Sequence, residues 1–312
     1  MLTYEQLTKK PTLFRSLTGL NIKEFNTIYN KINTNYKDNE KQRLHKTNRK
    51  HKIGAGHPFK LTLQNRLLMF LIYYRLYITS TLTGFLFDLD QSNVLKDIHK
   101  LEPHLKEALP TPKKIHNKVK RLQTLEEIEE VLPELNAFID ATEQEIPRPN
   151  NKKKQKTHYS GKKKKHTVKT QLTVSSKGLI VHKSPHVSGS MHDYCLFKHS
   201  HPSLPKQVHR KGDLGYKGVN EDFVLLDFVV PFKRKSPGRG KRGVKAEPLS
   251  VEQKAFNKEL ASLLVVSEHT NSRVKKFQIW GGEFRNRLRH YDIMSEIVCG
   301  IVNFRITGTL II

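Results

Sequence analysis

Cysteine is almost missing from this chain. Cys195 and Cys299 are the two in 312 residues, which excludes a disulfide framework and leaves no Cys-x-x-Cys metal site. Long apolar runs are missing as well. The greasiest stretch, Leu67 to Ile78, is interrupted by Arg75 and is too short to span a bilayer. The opening residues, MLTYEQLTKK, lack the apolar centre of a secretory signal, and neither a basic amphipathic helix nor a lipidation motif is present. A soluble, cytoplasmic protein without a membrane partner is therefore expected. Acid is the third shortage: 29 Asp and Glu stand against 56 Lys and Arg, a formal net charge of +27. From Ile146 through His192 neither Asp nor Glu occurs. Such an excess of positive charge is the electrostatic footprint of a polyanion binder, with nucleic acid as the leading partner.

No internal repeat is present. Residues 1–60 read as a basic N-terminal segment with short helical patterns, and Tyr36 to Pro58 as a flexible basic connector. From Thr62, a plausible N-cap, Leu63, Leu67, Phe70, Leu71 and Tyr74 recur at helical spacing. A short helix over Ser80 to Phe87 and another over Gln91 to Leu105 follow, separated by Asp88-Leu89-Asp90. This is a helix-turn-helix pattern within residues 61–112, whose last helix would place Gln91, Ser92, Asn93 and Lys96 at a major groove or its phosphates. An ordinary three-helix bundle with a polar start fits the same pattern. Pro110-Thr111-Pro112 opens a linker with an acidic helix, residues 113–134.

Beyond Pro133 the apolar period falls from 3.6 to 2. Leu135 to Ile139 reads as a strand delivering Asp140. Val168 to Val174, a turn at Ser175 to Gly178, and Leu179 to His182 form a hairpin. Met191 to His199 is a short helix candidate, and Phe223 to Phe232 is strand-like. Ser250 and Gln253 make a capping box opening a helix that can reach Phe277. Strands followed by helices indicate an α/β layered fold.

Asp140 at a strand end, Asp213 after a further strand, and Glu268 on the long helix could converge. Oxygen ligands of this kind suit Mg²⁺, and two such ions can activate an attacking oxygen and steady a leaving one. Each acid alone also fits a turn, a cap or a solvated helix face. Asn271 and Lys275 share the face of Glu268. Basic clusters recur near the acids: Lys152 to Lys169 (with Lys162, Lys163, Lys164 and Lys165), Lys233 to Lys245, and Arg273 to Arg289. Interleaved in this way they fit a nucleic-acid channel, although a charge run is ordinarily a solvated face. His182, His186 and His192 lack paired spacing for zinc, Gly238-Arg-Gly240 lacks the context of a nucleotide site, and Cys195 has no local histidine partner. Trp280 suits a stacked base or a core equally.

Several spaced blocks carry a resemblance. Asp140-Ala-Thr-Glu143, Arg148-Pro149 and Tyr159 to Thr167, then His192-Asp193, Asp213 to Gly218, and Glu268-His269 with Lys275 to Phe277, resemble in order the blocks of bacterial insertion-sequence DDE transposases. The likeness covers about residues 62 to 305. It implies an RNase H-like mixed sheet flanked by helices over residues 135–306, preceded by a small all-α helix-turn-helix domain. It implies that Asp140, Asp213 and Glu268 bind two Mg²⁺, with Mn²⁺ able to substitute. The implied activity is cleavage at terminal inverted repeats of double-stranded DNA, then strand transfer to target DNA, by a dimer or higher oligomer. Ala261 and Leu264 stand where the related pattern has Tyr and Arg. A catalytically inactive DNA-binding descendant is therefore the alternative.

Overall fold

The computed structural model describes residues 1–45, 58–234 and 247–310. In chain order the elements are α1 (Tyr4–Thr8), α2 (Pro11–Thr18), α3 (Ile22–Leu44), α4 (Leu63–Leu76), α5 (Ser80–Phe87), α6 (Gln91–Ala108), α7 (Pro112–Val119) and α8 (Leu125–Val131). Then follow β1 (Asn136–Glu145), α9 (Lys152–His158), β2 (Tyr159–Ser160), β3 (Lys165–Ser175), β4 (Ile180–Lys183), β5 (Val187–Ser188) and α10 (Asp193–Ser200). The chain continues through β6 (His209–Gly212), α11 (Val219–Asp222), β7 (Phe228–Val229), α12 (Val251–Lys275), α13 (Gln278–Gly281) and α14 (Tyr291–Thr307). Two compact units result, Met1–Thr111 with Val274–Ile312, and Pro112–Arg273. The cuts differ from the sequence boundaries. Residues 113–134 join the sheet unit, and the stretch after Arg273 joins the helical one.

Local signals account for the helical unit. Thr62 and Thr79 accept hydrogen bonds from the backbone N–H groups of Asn65 and Leu82, and Asp90 accepts from Ser92. These are N-caps, each satisfying a donor the helix leaves open. Tyr77 and Asp88 close α4 and α5 in the left-handed region, at φ 50° and 54°. Val94, Ile98, Leu101 and Leu105 of α6 are buried, as their spacing requires. Asn303 of α14 donates to the carbonyl of Pro110 at 3.0 Å.

One expectation is corrected here. Residues 36–44 are not a flexible connector, because α3 continues to Leu44. Its Phe25, Ile28 and Ile32 are buried, and Tyr36 and Asn39 form side-chain bonds to Arg66 and Glu107. Residues 46–57 of that stretch lie outside the described residues.

The second unit is built on a mixed sheet in the order β2-β3-β1-β6-β7, with β4 and β5 also pairing β3. β3 runs antiparallel to β1, whereas β6 runs parallel to it. The architecture is the expected α/β one, a mixed sheet flanked by helices preceded by the helix-turn-helix region. Among the described residues of this unit, two core clusters stand out. One gathers Ile115, Ile128, Leu132, Ala137 and Val181, the other Ile139, Phe197, Tyr216 and Phe228.

Two strand expectations change. β1 is ten residues long, so Asp140 lies within it and not at its end. Only Phe228–Val229 of the apolar run 223–232 pairs as strand. Val224 and Leu225 are exposed, in a turn that an apolar pattern cannot tell from a strand.

Candidate active site

The parallel register fixes the first two acids. Ile139 of β1 lies opposite Gly212 of β6, so Asp140 and Asp213, the residues that follow each, continue side by side from adjacent strands. Asp140 is half-buried and Asp213 is exposed. Burial is the main force raising the Asp140 carboxyl, to about 6, and the charges of Asp213 and Asp193 push in the same direction. The backbone N–H of Ala141 and the ammonium of Lys162 pull it down. Carboxylates held together without an intervening cation disfavour each other's ionisation.

Asp193, which the sequence marks only within the His192-Asp193 block, also acts on Asp140. It is the first residue of α10, and His192 caps that helix. A Cβ on Gly215 would sit 2.9 Å from Asp213 Oδ1 and 3.0 Å from Asp193 Oδ2, so both carboxylates crowd one glycine. Lys169 of β3, buried, donates to Asp193 Oδ1 at 2.7 Å and to the carbonyl of Met191 at 2.6 Å, with Glu143 Oε1 at 3.6 Å. The Tyr216 hydroxyl is buried, has no hydrogen-bond partner, and is pushed well up by burial and then by Asp140, Asp193 and Asp213. In sequence Tyr216 is simply the last residue of Asp213-Leu-Gly-Tyr. Neither residue has a sequence signal beyond its motif, because the sheet register alone brings them together.

Asn271 of α12 donates to Asp140 Oδ2 at 2.7 Å. Its own Oδ1 is buried without a partner. Glu268 lies one turn earlier on the same helix, exposed, and i,i+3 spacing puts it on the face of Asn271. The helix is anchored near this point. Thr270 donates to the carbonyl of Gly178 at 3.3 Å. Gly178 turns the β3–β4 hairpin at φ +81°, where a Cβ would stand 2.8 Å from the Arg273 guanidinium.

Among the described residues, Asp140, Asp213 and Glu268 do not form a group whose ligand atoms all lie within 4.8 Å of one another. Asp140, Asp213 and Asp193 do not form one by that measure either, but the charges of the two others act on Asp140, and Asn271 ties Asp140 to the helix that carries Glu268. The donor set still fits a hard divalent cation. It offers carboxylate oxygens, an amide oxygen left without a partner, and a surplus of negative charge.

The basic residues divide by place. Lys162, Lys163 and Lys164 are exposed in the β2–β3 turn, and Lys165 pairs with Glu145 at 2.6 Å. Gln91, Ser92, Asn93 and Lys96 are all exposed on the first turns of α6. Arg273 is exposed, and Lys275, the last residue of α12, falls in the helical unit. Most of the run Lys233 to Lys245, with Gly238-Arg-Gly240, lies outside the described residues. Trp280 is a core residue, 1% exposed. No helix among the described residues is long and apolar enough to cross a membrane.

Comparison with known proteins converges on one family. Residues 139–303 match the model of a DDE superfamily endonuclease, and residues 59–111 match the helix-turn-helix of DDE superfamily endonucleases. The chain is 30% identical, over 97% of its length and 96% of the relative's, to a probable transposase for insertion sequence element IS702 from Microchaete diplosiphon. No solved structure matches. Endonucleases of this superfamily depend on a divalent metal. With the strand register pairing its acids and the helix-turn-helix ahead of them, the chain belongs to the DDE superfamily endonucleases, as a transposase of the insertion-sequence kind.

Proposed function

We propose that this transposase binds the terminal inverted repeats of its element, cleaves DNA strands there, and joins the freed ends to target DNA. Residues 61–112 are the repeat-reading module, with Gln91, Ser92, Asn93 and Lys96 at base edges and phosphates. Residues 135–306 carry the chemistry, and assembly as at least a dimer on DNA pairs two ends. The protein acts in the cytoplasm, on the nucleoid.

Asp140, Asp213 and Glu268 would hold two Mg²⁺, with Mn²⁺ able to substitute, and the ions would polarise the attacking water or 3′-hydroxyl and stabilise the leaving oxygen. The observation that carries this reading is Asp140 beside Asp213, hydrogen-bonded to the helix that bears Glu268. The protein's own groups prepare the site. Asp140 gives up its proton before a cation can be held, and Asn271 fixes the direction of its Oδ2. Asn271 Oδ1 remains open to a further ligand or water. Lys162 to Lys165, Arg273 and Lys275 hold phosphates, Lys162 near enough to Asp140 to lower it.

The test is cleavage of a labelled inverted-repeat end in Mg²⁺ by wild type and by Asp140→Asn. The variant is expected to cut about a thousandfold more slowly, a loss of ~4 kcal/mol of transition-state stabilisation, while binding the same end. Equal cutting would remove Asp140 from the mechanism. Ala261 and Leu264, in the positions of a Tyr and an Arg, favour a second reading, a silent DNA-binding descendant. Salt-sensitive binding without Mg²⁺-dependent nicking selects it.

A further inference from the structure

The helical unit holds a second cluster of ligating side chains, sharing no residue with the acids above. His99 and Glu102 are three apart on α6, which places them on one face, and His290 precedes α14. The ligand atoms of the three lie within 4.8 Å of one another. Glu102 is buried at 4% exposure, and the two histidines are half-buried.

Each carboxylate oxygen of Glu102 has a separate task. Oε1 accepts the Tyr74 hydroxyl at 2.9 Å, which fixes the carboxylate. Oε2 meets both imidazoles, His99 Nδ1 at 3.2 Å and His290 Nδ1 at 3.8 Å. The rings stack with centroids 4.0 Å apart and planes 17° apart, so an ion shared by both nitrogens, which an imidazole binds in its ring plane, requires the rings to part. One histidine is enough to satisfy that oxygen. The second gains no hydrogen bond, since 3.8 Å is beyond its reach.

The three atoms also lie at a spacing that suits one cation. Zinc bonds near 2.0–2.1 Å in a tetrahedron set ligand atoms roughly 3.4 Å apart, and the two observed separations bracket that spacing. Two imidazole nitrogens and one carboxylate oxygen are a zinc-class donor set with a fourth position open. Tyr74 supplies the outer hydrogen bond that such ligands ordinarily have. Pro103, inside α6, has no N–H to give the carbonyl of His99 four residues earlier, which loosens the helix at the site. Arg289 Nε now donates to His290 Nε2 at 3.1 Å. Metal on Nδ1 places the proton on Nε2, so this exposed arginine swings to solvent.

We propose that His99, Glu102 and His290 form a binding site for a zinc-class transition metal, which ties the helix presenting Gln91 to Lys96 to the start of the C-terminal helix. The full-length protein, stripped of metal, is titrated with Co²⁺. One ion per chain is expected to give the intense visible bands of four-coordinate Co²⁺, displaced by Zn²⁺ and not by Mg²⁺. An all-oxygen, six-coordinate site gives only weak bands, which keeps the two sites apart. His99→Gln and His290→Gln should each weaken Co²⁺ binding by more than the roughly 10- to 100-fold that loss of an outer hydrogen-bond partner costs. Absence of the bands in wild type, or bands that survive both substitutions, overturns the proposal. Should both variants misfold, wild type decides alone: a thermal midpoint unmoved by excess Zn²⁺ overturns it as well.

Discussion

Asp97 and Asp140 are both carboxylates drawn into the protein, one in each unit, and they are treated in opposite ways. Asp97 on α6 is fully enclosed by Arg66, whose Nε lies 2.7 and 2.9 Å from its two oxygens and whose Nη1 donates to the Tyr36 hydroxyl at 2.6 Å. It is a structural pair joining α3, α4 and α6. Asp140 has no such partner. Its neighbours are two more aspartates and an amide, and Lys162, the cation named as lowering it, stands on an exposed turn. A buried charge is tolerated when it is paired. An under-compensated one marks a place arranged for something other than stability.

The contrast can be broken from either side. Arg66→Met leaves Asp97 buried without its cation and should cost about 3–5 kcal/mol of stability, read by chemical denaturation. A loss below about 1 kcal/mol would mean that the pair is not structural.

Asp140→Asn should act in the reverse sense on metal-free protein. The native carboxyl is held up near 6, whereas in the unfolded chain it ionises near its ordinary value of about 4. Between these values the native state keeps the proton longer, so stability falls as pH rises through the window. At neutral pH the substitution is expected to stabilise by up to about 3 kcal/mol, and at pH values below about 4 by almost nothing. Denaturation in EDTA at both pH values measures this, and a stabilisation of equal size at both would contradict the charge argument.

Gly178→Ala sharpens the comparison within the sheet unit. A Cβ at positive φ, facing Thr270 and Arg273, should cost about 1–2 kcal/mol and shift α12. Cleavage should then fall further than stability does, because Glu268 and Asn271 ride on that helix. Smallest is Lys163→Ala in the exposed turn. It should reduce the slope of log affinity against log salt by about 1 without changing which sequence is bound.

The helices around the helix-turn-helix were legible nearly to the residue, because Thr62, Thr79 and Asp90 are caps whose effect is local. The long helix opened at Ser250 and Gln253 for the same reason, each side chain bonding the other's backbone N–H at 3.2 Å. The polar outer half of α3 carries no helical signal of its own. Its helix is held by Arg66, Glu107 and other distant partners, not by an apolar stripe. Asp193, Tyr216 and Lys169 were not singled out from sequence, since nothing near them in the chain announces the sheet register that brings them to Asp140. The same holds for His290, 188 residues beyond Glu102 in number and 3.8 Å from it in space.

By itself the sequence determined the class of partner, the α/β order of elements, and the acids worth testing, since charge, period and capping are properties of near neighbours. Only the tertiary structure decided which side chains meet. Parallel pairing of β1 with β6 set Asp140 beside Asp213, and the docking of α12 on the Gly178 turn brought Asn271 to Asp140. Those pairings depend on burial and register between distant segments, which a linear pattern does not encode.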